Sequence, residues 1–271
     1  MPELPEVETA RRGLAPHLEG QTIMELKVRE HRLRLPIPDD MGEMLAGQQV
    51  RALRRRGKYL ILDLQKGSVL IHLGMSGSLR VLPTITPPGP HDHLDLVLAG
   101  GRCLRLRDPR RFGLFLWAQD IPERHPLLCE LGPEPLEEGF NGDYLFRQSR
   151  GRRRRLKGFV MDSRVVVGVG NIYASESLYL AGLRPDRHAG ELDMVEYQAL
   201  ALAIVSVLTS AIAAGGTTLR DFVGEDGHPG YFARQLQVYG REGQPCIRCA
   251  NPILRVKIEQ RSSFYCPGCQ T

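Results

Sequence analysis

The chain has 271 residues, which is long enough for two domains that each bury a hydrophobic core. Its hydrophobic content of 42% is typical of a globular protein and argues against intrinsic disorder. The net charge of +5 and the pI near 9.0 favour a polyanionic partner, although many basic proteins bind none. No apolar run approaches the roughly 18 residues that span a bilayer. The N-terminus lacks a cationic leader, so we expect a cytoplasmic chain with no membrane partner.

The opening stretch, MPELPEVETARR, predicts a helix that begins just after Glu3. Leu4 and Val7 start an apolar series at helical spacing, and Pro5 suits the first turn of a helix. Pro2 and Glu3 are then expected immediately ahead of it. A small residue at position 2 favours removal of the initiator methionine, which would leave Pro2 as a free secondary amine. The alternative is that a Pro-Glu pair is simply a tolerated start.

The stretch from about residue 20 to 118 predicts a β-domain. Short apolar or alternating runs follow one another, and glycine, proline and aspartate occupy the gaps. Short strands at such close spacing are typical of a β-sandwich or barrel, and we expect the N-terminal helix to pack against it. The runs are YLILDL, SVLIHLGM, GSLRVL, HLDLVLA and CLRLR.

The second half of the chain predicts helices. Residues 131–144 are rich in glycine, proline and acidic side chains and indicate a linker. Residues 171–182 predict a short helix that ends at Gly182. Residues 191–216 predict a long helix that is apolar on most faces and therefore largely buried. The segment 223–232, rich in glycine and charge, predicts a mobile loop.

Four of the six cysteines fall within the last 26 residues and predict a metal site. They form two C-x2-C pairs separated by sixteen residues, a zinc-ribbon spacing that a chance arrangement rarely produces. Four thiolates complete a tetrahedron and leave no open position, so we expect one structural Zn²⁺. We expect the remaining two cysteines, Cys103 and Cys129, to be buried thiols. The predicted ligands are Cys246, Cys249, Cys266 and Cys269.

Three further stretches each allow two interpretations. The run RGRRRRLK contains five cations from Arg152 to Lys157 and is either a solvated basic face or a phosphate-binding surface. DPRRFG (108–113) is either a structural turn or a loop that wedges an aromatic ring into a base stack. HLGMSG (72–77) has the same ambiguity, because Met75 lies between glycines rather than within a strand.

Six motifs occur together in one known family. MPELPEVET, RRGKYL, HLGMSGSLR, DPRRFG, VGVGNIYASE and the terminal four-cysteine finger, in this order, resemble the bacterial formamidopyrimidine-DNA glycosylases along nearly the whole chain. The resemblance implies an α+β fold with three parts. These are an N-terminal β-sandwich with a leading helix (1–132), a helix–two-turn–helix domain (133–235) and a zinc-finger hairpin (236–271).

The resemblance also implies an activity. Enzymes of this family excise oxidised purines, such as 8-oxoguanine and formamidopyrimidines, from double-stranded DNA and then cleave the strand at the abasic site. We therefore expect a monomeric enzyme whose partner is such DNA. Segment 223–232 is our candidate for a lid over the extruded base, because its glycines would let it order only when the correct base arrives.

Site residues carry over by their positions in the motifs. Pro2 is similar to the Schiff-base nucleophile, Glu3 to the acid beside the sugar, and Lys58 to the proton donor of β-elimination. Arg261 matches the position that acts in δ-elimination and contacts phosphate. Asn171 is expected both to contact DNA and to cap its helix. The implied DNA contacts are His91, Arg110, Arg152 and Asn171, and the implied trio that fills the gap left by the extruded base is Met75, Arg110 and Phe112.

Two other functions remain open from the sequence. The first is that of endonuclease VIII, a related class that acts on oxidised pyrimidines by the same chemistry. The second is a zinc-ribbon DNA-binding protein without catalysis. A free amine at Pro2 favours an enzyme, because it can form an iminium with deoxyribose, whereas a binding protein needs no such group.

Overall fold

The computed structural model describes residues 2–119, 121–216 and 235–271, which form two compact units. The described residues up to Cys129 make up the first unit, and those from Glu130 onward make up the second. The first unit consists mainly of strands and the second mainly of helices, so the predicted α+β class is confirmed.

Helix α1 (Leu4–Leu18) begins at the predicted residue. Glu3 is its N-cap residue, and the Glu6 carboxylate accepts a hydrogen bond from the Glu3 backbone N–H at 2.9 Å. A side chain that reaches back to the N-cap in this way satisfies one of the backbone donors at a helix start. One face of α1 is buried, including Val7 and Leu14.

The first unit contains two four-stranded antiparallel sheets, ordered β1-β6-β7-β5 and β2-β3-β4-β8. All five predicted runs are strands. The sequence patterns did not single out β1, β2 or β8. In β2, four arginines obscure the alternation of apolar and polar residues. The strands are β1 (Ile23–Val28), β2 (Val50–Arg56), β3 (Tyr59–Leu64), β4 (Ser68–His72), β5 (Ser78–Pro83), β6 (Asp92–Leu98), β7 (Arg102–Arg107) and β8 (Leu114–Ala118), with a short helix α2 (Met41–Leu45) after β1.

One hydrophobic core joins both sheets and α1, which confirms the predicted sandwich. Leu62 and Ile71 come from one sheet, Leu96 and Leu104 from the other, and Leu14 from the helix; all are at most 2% exposed. Each buried aliphatic side chain of this size contributes about 1.5–3 kcal/mol to the stability of the sandwich. Cys103 is buried as predicted, whereas the prediction for Cys129 is wrong, because its side chain is exposed.

The second unit contains four helices and one two-stranded sheet within its described residues. The linker predicted for 131–144 extends too far, because the first helix of this unit begins at Gly142. The long helix begins with a reciprocal capping box, in which the Asp193 carboxylate accepts from Glu196 N–H at 2.8 Å and the Glu196 carboxylate accepts from Asp193 N–H at 2.9 Å. The elements are α3 (Gly142–Ser149), α4 (Leu156–Val160), α5 (Asn171–Leu180), α6 (Met194–Ala213), β9 (Leu254–Ile258) and β10 (Arg261–Tyr265).

Helix α6 is long and apolar enough to cross a membrane by length and composition alone, the one such helix in the described part of the chain, so the expectation that no apolar run approaches this length is wrong. The helix packs on α3 and α5. Its buried face includes Leu200, Ile204 and Leu208. The expectation that it is buried on most faces is wrong, since Val195 and Leu202 are 70% and 72% exposed.

Candidate functional site

The N-terminal pair lies at the start of α1. Pro2 is partly exposed, whereas the side chain of Glu3 is only 2% exposed. A buried carboxyl group at this place faces the positive end of the helix dipole. Glu6 fixes the peptide that follows Pro2 through its bond to Glu3 N–H.

An ion-pair network connects α1 to the turn that carries Lys58. Glu8 lies between Arg11, Arg12 and Arg55, with Nε of Arg55 at 3.1 Å from its carboxylate. Burial raises the pKa of Glu8, but hydrogen bonds from these arginines outweigh it and hold the pKa at about 2. Arg55 also donates to the Gly57 carbonyl at 3.1 Å, directly before Lys58. The network therefore anchors the Lys58 turn to the helix that follows Pro2.

His72 lies at the end of β4, within the electrostatic reach of Lys58. Burial, together with the positive charges of Lys58 and Arg34, lowers the pKa of His72 to about 4, so the ring is neutral at physiological pH. Its Nδ1 accepts a hydrogen bond from Gly74 N–H at 2.9 Å. A neutral His72 therefore holds the first residues of the loop that presents Met75.

The folding stability of the protein is expected to fall between pH 7 and pH 5 because of His72. Its pKa is about 4 when folded and 6.5 ordinarily, so the unfolded chain binds more protons in this window and stability rises with pH. The loss should be about 2 kcal/mol from this group. Urea unfolding at both pH values measures it. His72→Gln offers an acceptor that does not titrate and should flatten the difference; an equal pH effect in that variant would contradict the assignment. Glu8 does not interfere, because its contribution is lost only below about pH 4.5.

Asp108 joins the two loops that the sequence left ambiguous. Its side chain is fully buried and accepts from Ser76 Oγ at 2.6 Å and from Gly113 N–H at 2.8 Å. The backbone N–H of Arg110 lies 3.3 Å from the same carboxylate. Asp108 N–H in turn donates to the carbonyl of His91 at 3.0 Å. One buried carboxylate thus organises both loops and the residue preceding β6.

The three predicted gap-filling residues lie on these loops with their side chains exposed. Met75 is 42% and Phe112 44% exposed, and the Arg110 guanidinium lies 4.8 Å from the centre of the Phe112 ring. Gly74 has φ +61°, and a Cβ there would lie 2.5 Å from the Phe112 carbonyl carbon, so only glycine permits the two loops to approach so closely. An exposed methionine beside an exposed phenylalanine is not a core arrangement and suits insertion into a base stack.

In the second unit, Asn171 is the first residue of α5 and is not its cap. The N-cap residue is Gly170, so the capping prediction is wrong. The side-chain amide of Asn171 donates to the Tyr239 hydroxyl at 3.3 Å, and its carbonyl oxygen has no hydrogen-bond partner among the described residues. The segment that carries Tyr239 is itself held by Glu176, whose carboxylate accepts three backbone N–H groups from residues 237–239. Burial raises the pKa of Glu176.

Arg152 and Arg261, which were predicted to contact DNA, differ in their exposure. Arg152 is half-buried, with its guanidinium 5.6 Å from the Phe159 ring and a hydrogen bond to Gln148 at 3.4 Å. Arg261 is exposed at the start of β10. The segment 223–232, the predicted lid, lies outside the described residues.

The four predicted zinc ligands come together in the second unit. Their sulfur atoms all lie within 4.8 Å of one another, with Cys246 to Cys269 at 3.8 Å and Cys249 to Cys266 at 3.4 Å. Thiolates at about 2.3 Å from a tetrahedral zinc are about 3.8 Å apart, so the residues present fit this metal. The hydroxyl of the fully buried Tyr179 in α5 lies 3.1 Å from the Cys246 sulfur and orients that ligand.

Comparison with protein families accounts for most of the chain. Residues 1–115 match the formamidopyrimidine-DNA glycosylase N-terminal domain, residues 131–223 match the H2TH (helix–two-turn–helix) domain of the same family, and residues 243–271 match a zinc finger found in FPG and IleRS. The chain belongs to the formamidopyrimidine-DNA glycosylase family. The predicted family, the fold class and the single structural zinc are thereby confirmed.

Relatives and solved structures support the same family over the full length. The chain is 56% identical over 270 residues to the formamidopyrimidine-DNA glycosylase of Methylococcus capsulatus and 57% identical over 276 residues to that of Alkalilimnicola ehrlichii, covering 100% of each. The Thermus thermophilus structure has a TM-score of 0.87 at 39% identity and covers 99% of this chain and 98% of its own. The Lactococcus lactis glycosylase bound to abasic-site DNA has a TM-score of 0.92 at 31% identity and covers 99% of both chains. Its complex with Fapy-dG DNA has a TM-score of 0.91 at 31% identity and covers 99% of this chain and 100% of its own.

Sequence reasoning missed the residues that hold this formamidopyrimidine-DNA glycosylase site in place. Asp108 is the first residue of the DPRRFG motif, but nothing in the sequence pattern distinguishes a buried carboxylate from an exposed turn residue. His72 was equally hidden, since its neutrality depends on burial and on the charge of Lys58. Long-range contacts of this kind have no local signal in the sequence.

Proposed function

We propose that this chain is a bifunctional DNA repair glycosylase that excises oxidised purines from duplex DNA and then cleaves the strand at the abasic site. The observation that carries the proposal is the Pro2–Glu3 pair at the start of α1 in a member of this family. The Glu3 carboxyl is buried next to Pro2, whose nitrogen becomes a free amine once Met1 is removed. Relatives solved with Fapy-dG and abasic-site DNA support the substrate class.

The first step is nucleophilic attack by Pro2. An α-amino group has an ordinary pKa of about 7.7–8.0, so part of it is unprotonated at neutral pH. Its nitrogen bonds to C1′ of the damaged nucleotide, the C1′–base bond breaks, and the base leaves with a proton. Glu3 protonates the ring oxygen as the sugar opens. Because Pro2 is a secondary amine, the product is necessarily a positively charged iminium.

The second step is strand cleavage by elimination. The iminium acidifies C2′, whose proton passes to the Glu3 carboxylate as the bond from C3′ to the 3′ phosphate oxygen breaks. Lys58 donates a proton to the phosphate oxygen that leaves in this β-elimination. A second elimination releases the C4′ proton to solvent and breaks the bond from C5′ to its phosphate oxygen, while Arg261 contacts the departing phosphate. Water then hydrolyses the iminium, which frees Pro2 from the sugar fragment and leaves a one-nucleotide gap.

The nucleotide has to leave the base stack before this chemistry begins, at a cost of a few kcal/mol. Met75, Arg110 and Phe112 are proposed to occupy the gap, while His91 and Asn171 contact phosphates together with Arg152. The bond network of Asp108 supports this role, since it holds the two loops in the exposed conformation. Zinc has no part in the reaction, because its four cysteines leave no open position.

Several broader expectations belong to the same proposal. We propose the domain boundaries 1–132, 133–235 and 236–271, a monomer, and a location with the DNA in the cytoplasm or nucleoid. We propose Cys246, Cys249, Cys266 and Cys269 as the zinc ligands, on the basis of their clustered sulfur atoms. The segment 223–232 is proposed as a lid over the extruded base. Replacing that segment should change base selectivity and leave abasic-site cleavage intact.

A comparison of two lesions tests the proposed activity. In matched duplexes, 8-oxoguanine should be released at least ten times faster than thymine glycol, because the site is proposed to select purines and ΔΔG‡ of about 1.4 kcal/mol gives that ratio. Products are resolved on a denaturing gel and by mass spectrometry. Faster release of thymine glycol would indicate endonuclease VIII-like activity, and release of neither base with retained DNA binding would indicate a non-catalytic zinc-ribbon protein.

A further inference from the structure

The basic segment, Arg152 to Lys157, is held by the protein itself at three of its five cations. Arg155 donates to the Asp186 carbonyl at 2.6 Å. The ammonium group of Lys157 is almost fully buried, and Arg154 is bound by two carboxylates. Neither interpretation from the sequence, a solvated face or a phosphate-binding surface, describes these three side chains. Arg153 is exposed, and its backbone carbonyl lies 2.6 Å from Nδ1 of His188.

Arg154 binds the tip of the zinc-finger hairpin. Its Nε and Nη2 donate to the two carboxylate oxygens of Glu259 at 2.9 and 2.8 Å, and its Nη1 donates to Asp162 at 2.7 Å. A bidentate arginine–carboxylate pair fixes both distance and orientation. Glu259 lies two residues before Arg261, and the hydrogen bonds from Arg154 and the nearby charge of Arg261 lower the pKa of Glu259.

Lys157 holds the same hairpin on the other side of Arg261. Its ammonium group donates to the Ser262 carbonyl at 3.1 Å and to the Ser263 hydroxyl at 2.9 Å. It also donates to Ser175 in α5 at 2.9 Å. The basic segment therefore binds the chain two residues before Arg261 and again one residue after it.

The hairpin turn needs this support because of its sequence. Glu259 and Gln260 connect β9 to β10 with φ of +45° and +64°. Two-residue turns with positive φ at both positions strongly prefer Asn-Gly or Gly-Gly, since other residues are strained there. The backbone of Arg154 is itself held in place, because its carbonyl accepts a hydrogen bond from Ala189 N–H at 2.9 Å.

We propose that Arg154 and Glu259 are a positioning pair that orients Arg261 for the second elimination. The proposal rests on the function proposed above, in which Arg261 contacts the departing phosphate. In this role neither member of the pair needs to contact DNA. Breaking the pair lets the strained turn relax and moves Arg261 away from its phosphate, while Pro2 and Lys58, which are in the other unit, are unaffected.

Gly158 provides a variant that keeps every charge. A Cβ at this residue would lie 2.2 Å from Oε1 of Glu259, so the carboxylate must move. Gly158→Ala should raise the helix propensity of α4 by about 1 kcal/mol and therefore not unfold it. It displaces the carboxylate without removing a charge, which separates position from electrostatics.

The experiment is a single-turnover reaction on duplex DNA with a preformed abasic site, in which the products of one and of two eliminations are quantified. Arg154→Gln, Glu259→Gln and Gly158→Ala should each slow the second elimination about tenfold relative to the first, since small misplacements of a catalytic group cost up to about 100-fold. The double variant Arg154→Gln/Glu259→Gln should be no slower than either single variant, because the two residues act as a unit. Hydrogen exchange at the amides of 259–263 should accelerate in parallel.

The opposite charges of Arg154 and Glu259 make it possible to distinguish a positioning role from direct phosphate binding. Arg154→Gln removes one positive charge and Glu259→Gln removes one negative charge, so direct electrostatics would change DNA binding in opposite directions. Loss of positioning should instead shift the ratio of the two-elimination product to the one-elimination product in the same direction in both variants. Arg54→Gln, which breaks ion pairs with Asp63 and Glu123 in the first unit at similar exposure, is the matched control and should leave the ratio unchanged.

The outcomes separate this inference from the proposed function. If the unmodified protein leaves the abasic site intact, the proposed function fails and the positioning role fails with it. If the unmodified protein performs both eliminations but Arg154→Gln and Gly158→Ala retain its product ratio, only the positioning role is wrong. Zinc content is measured for every variant, and any variant that loses zinc is set aside in favour of Gly158→Ala, which preserves the ion-pair charges.

Discussion

Protein from which Met1 has been removed is expected to become covalently linked to abasic-site DNA when borohydride is present during the reaction. Borohydride reduces the iminium between Pro2 and C1′ to a stable amine, so the complex survives denaturing electrophoresis. Protein that retains Met1 is expected to give no such complex, because the Pro2 nitrogen is then an amide and has no lone pair available for attack. The intact mass of each preparation establishes which form is present.

Two variants sharpen this expectation. Pro2→Gly still offers a primary amine and should give weaker trapping, by about 10- to 100-fold, since the rigid ring no longer directs the nitrogen. An added residue between Met1 and Pro2 that resists removal should abolish trapping while leaving the zinc content unchanged. Equal trapping by the blocked and the processed protein would place the nucleophile elsewhere and remove the basis of the proposed mechanism.

Removal of zinc is expected to unfold the hairpin and to reduce DNA binding severely. The hairpin core comprises few side chains, among them Val238, Ile253 and Phe264, and two of the cysteines complete it. Binding of a structural zinc provides about 10–16 kcal/mol, far more than so small a core can supply. A chelator titration followed by absorbance of the released metal, with DNA affinity measured at each point, tests this.

Two cysteine variants should differ clearly in zinc content and in DNA affinity. Cys266→Ser removes a fully buried ligand and should reproduce the metal-free state. Cys129→Ser is the matched control, since Cys129 is exposed, lies in the first unit and is not part of the sulfur cluster. Undiminished DNA affinity in a zinc-free protein would show that the hairpin makes no contact that is essential for DNA binding.

Some features of the site could be predicted from the sequence and others could not, and particular residues show why. The order of the six motifs indicated the family, and the cysteine spacing indicated zinc, because both are local patterns. The basic segment was the least predictable feature. Whether Arg154 faces solvent or a carboxylate depends on Glu259, which is 105 residues away along the chain. No helical or strand periodicity records such a pairing.

The sequence by itself determined three of the helices, five of the strands and the metal site. Apolar spacing and Pro5 placed the start of α1, alternation placed five of the strands, and two C-x2-C pairs specified a tetrahedral thiolate site, since each depends on neighbours a few residues apart. Only the tertiary structure decided which polar groups are desolvated and what they meet. Burial made His72 neutral and gave Asp108 its loop-joining role, and packing brought the part-exposed Arg154 against two carboxylates. Desolvation and hydrogen-bond geometry of this kind arise only when distant segments pack together.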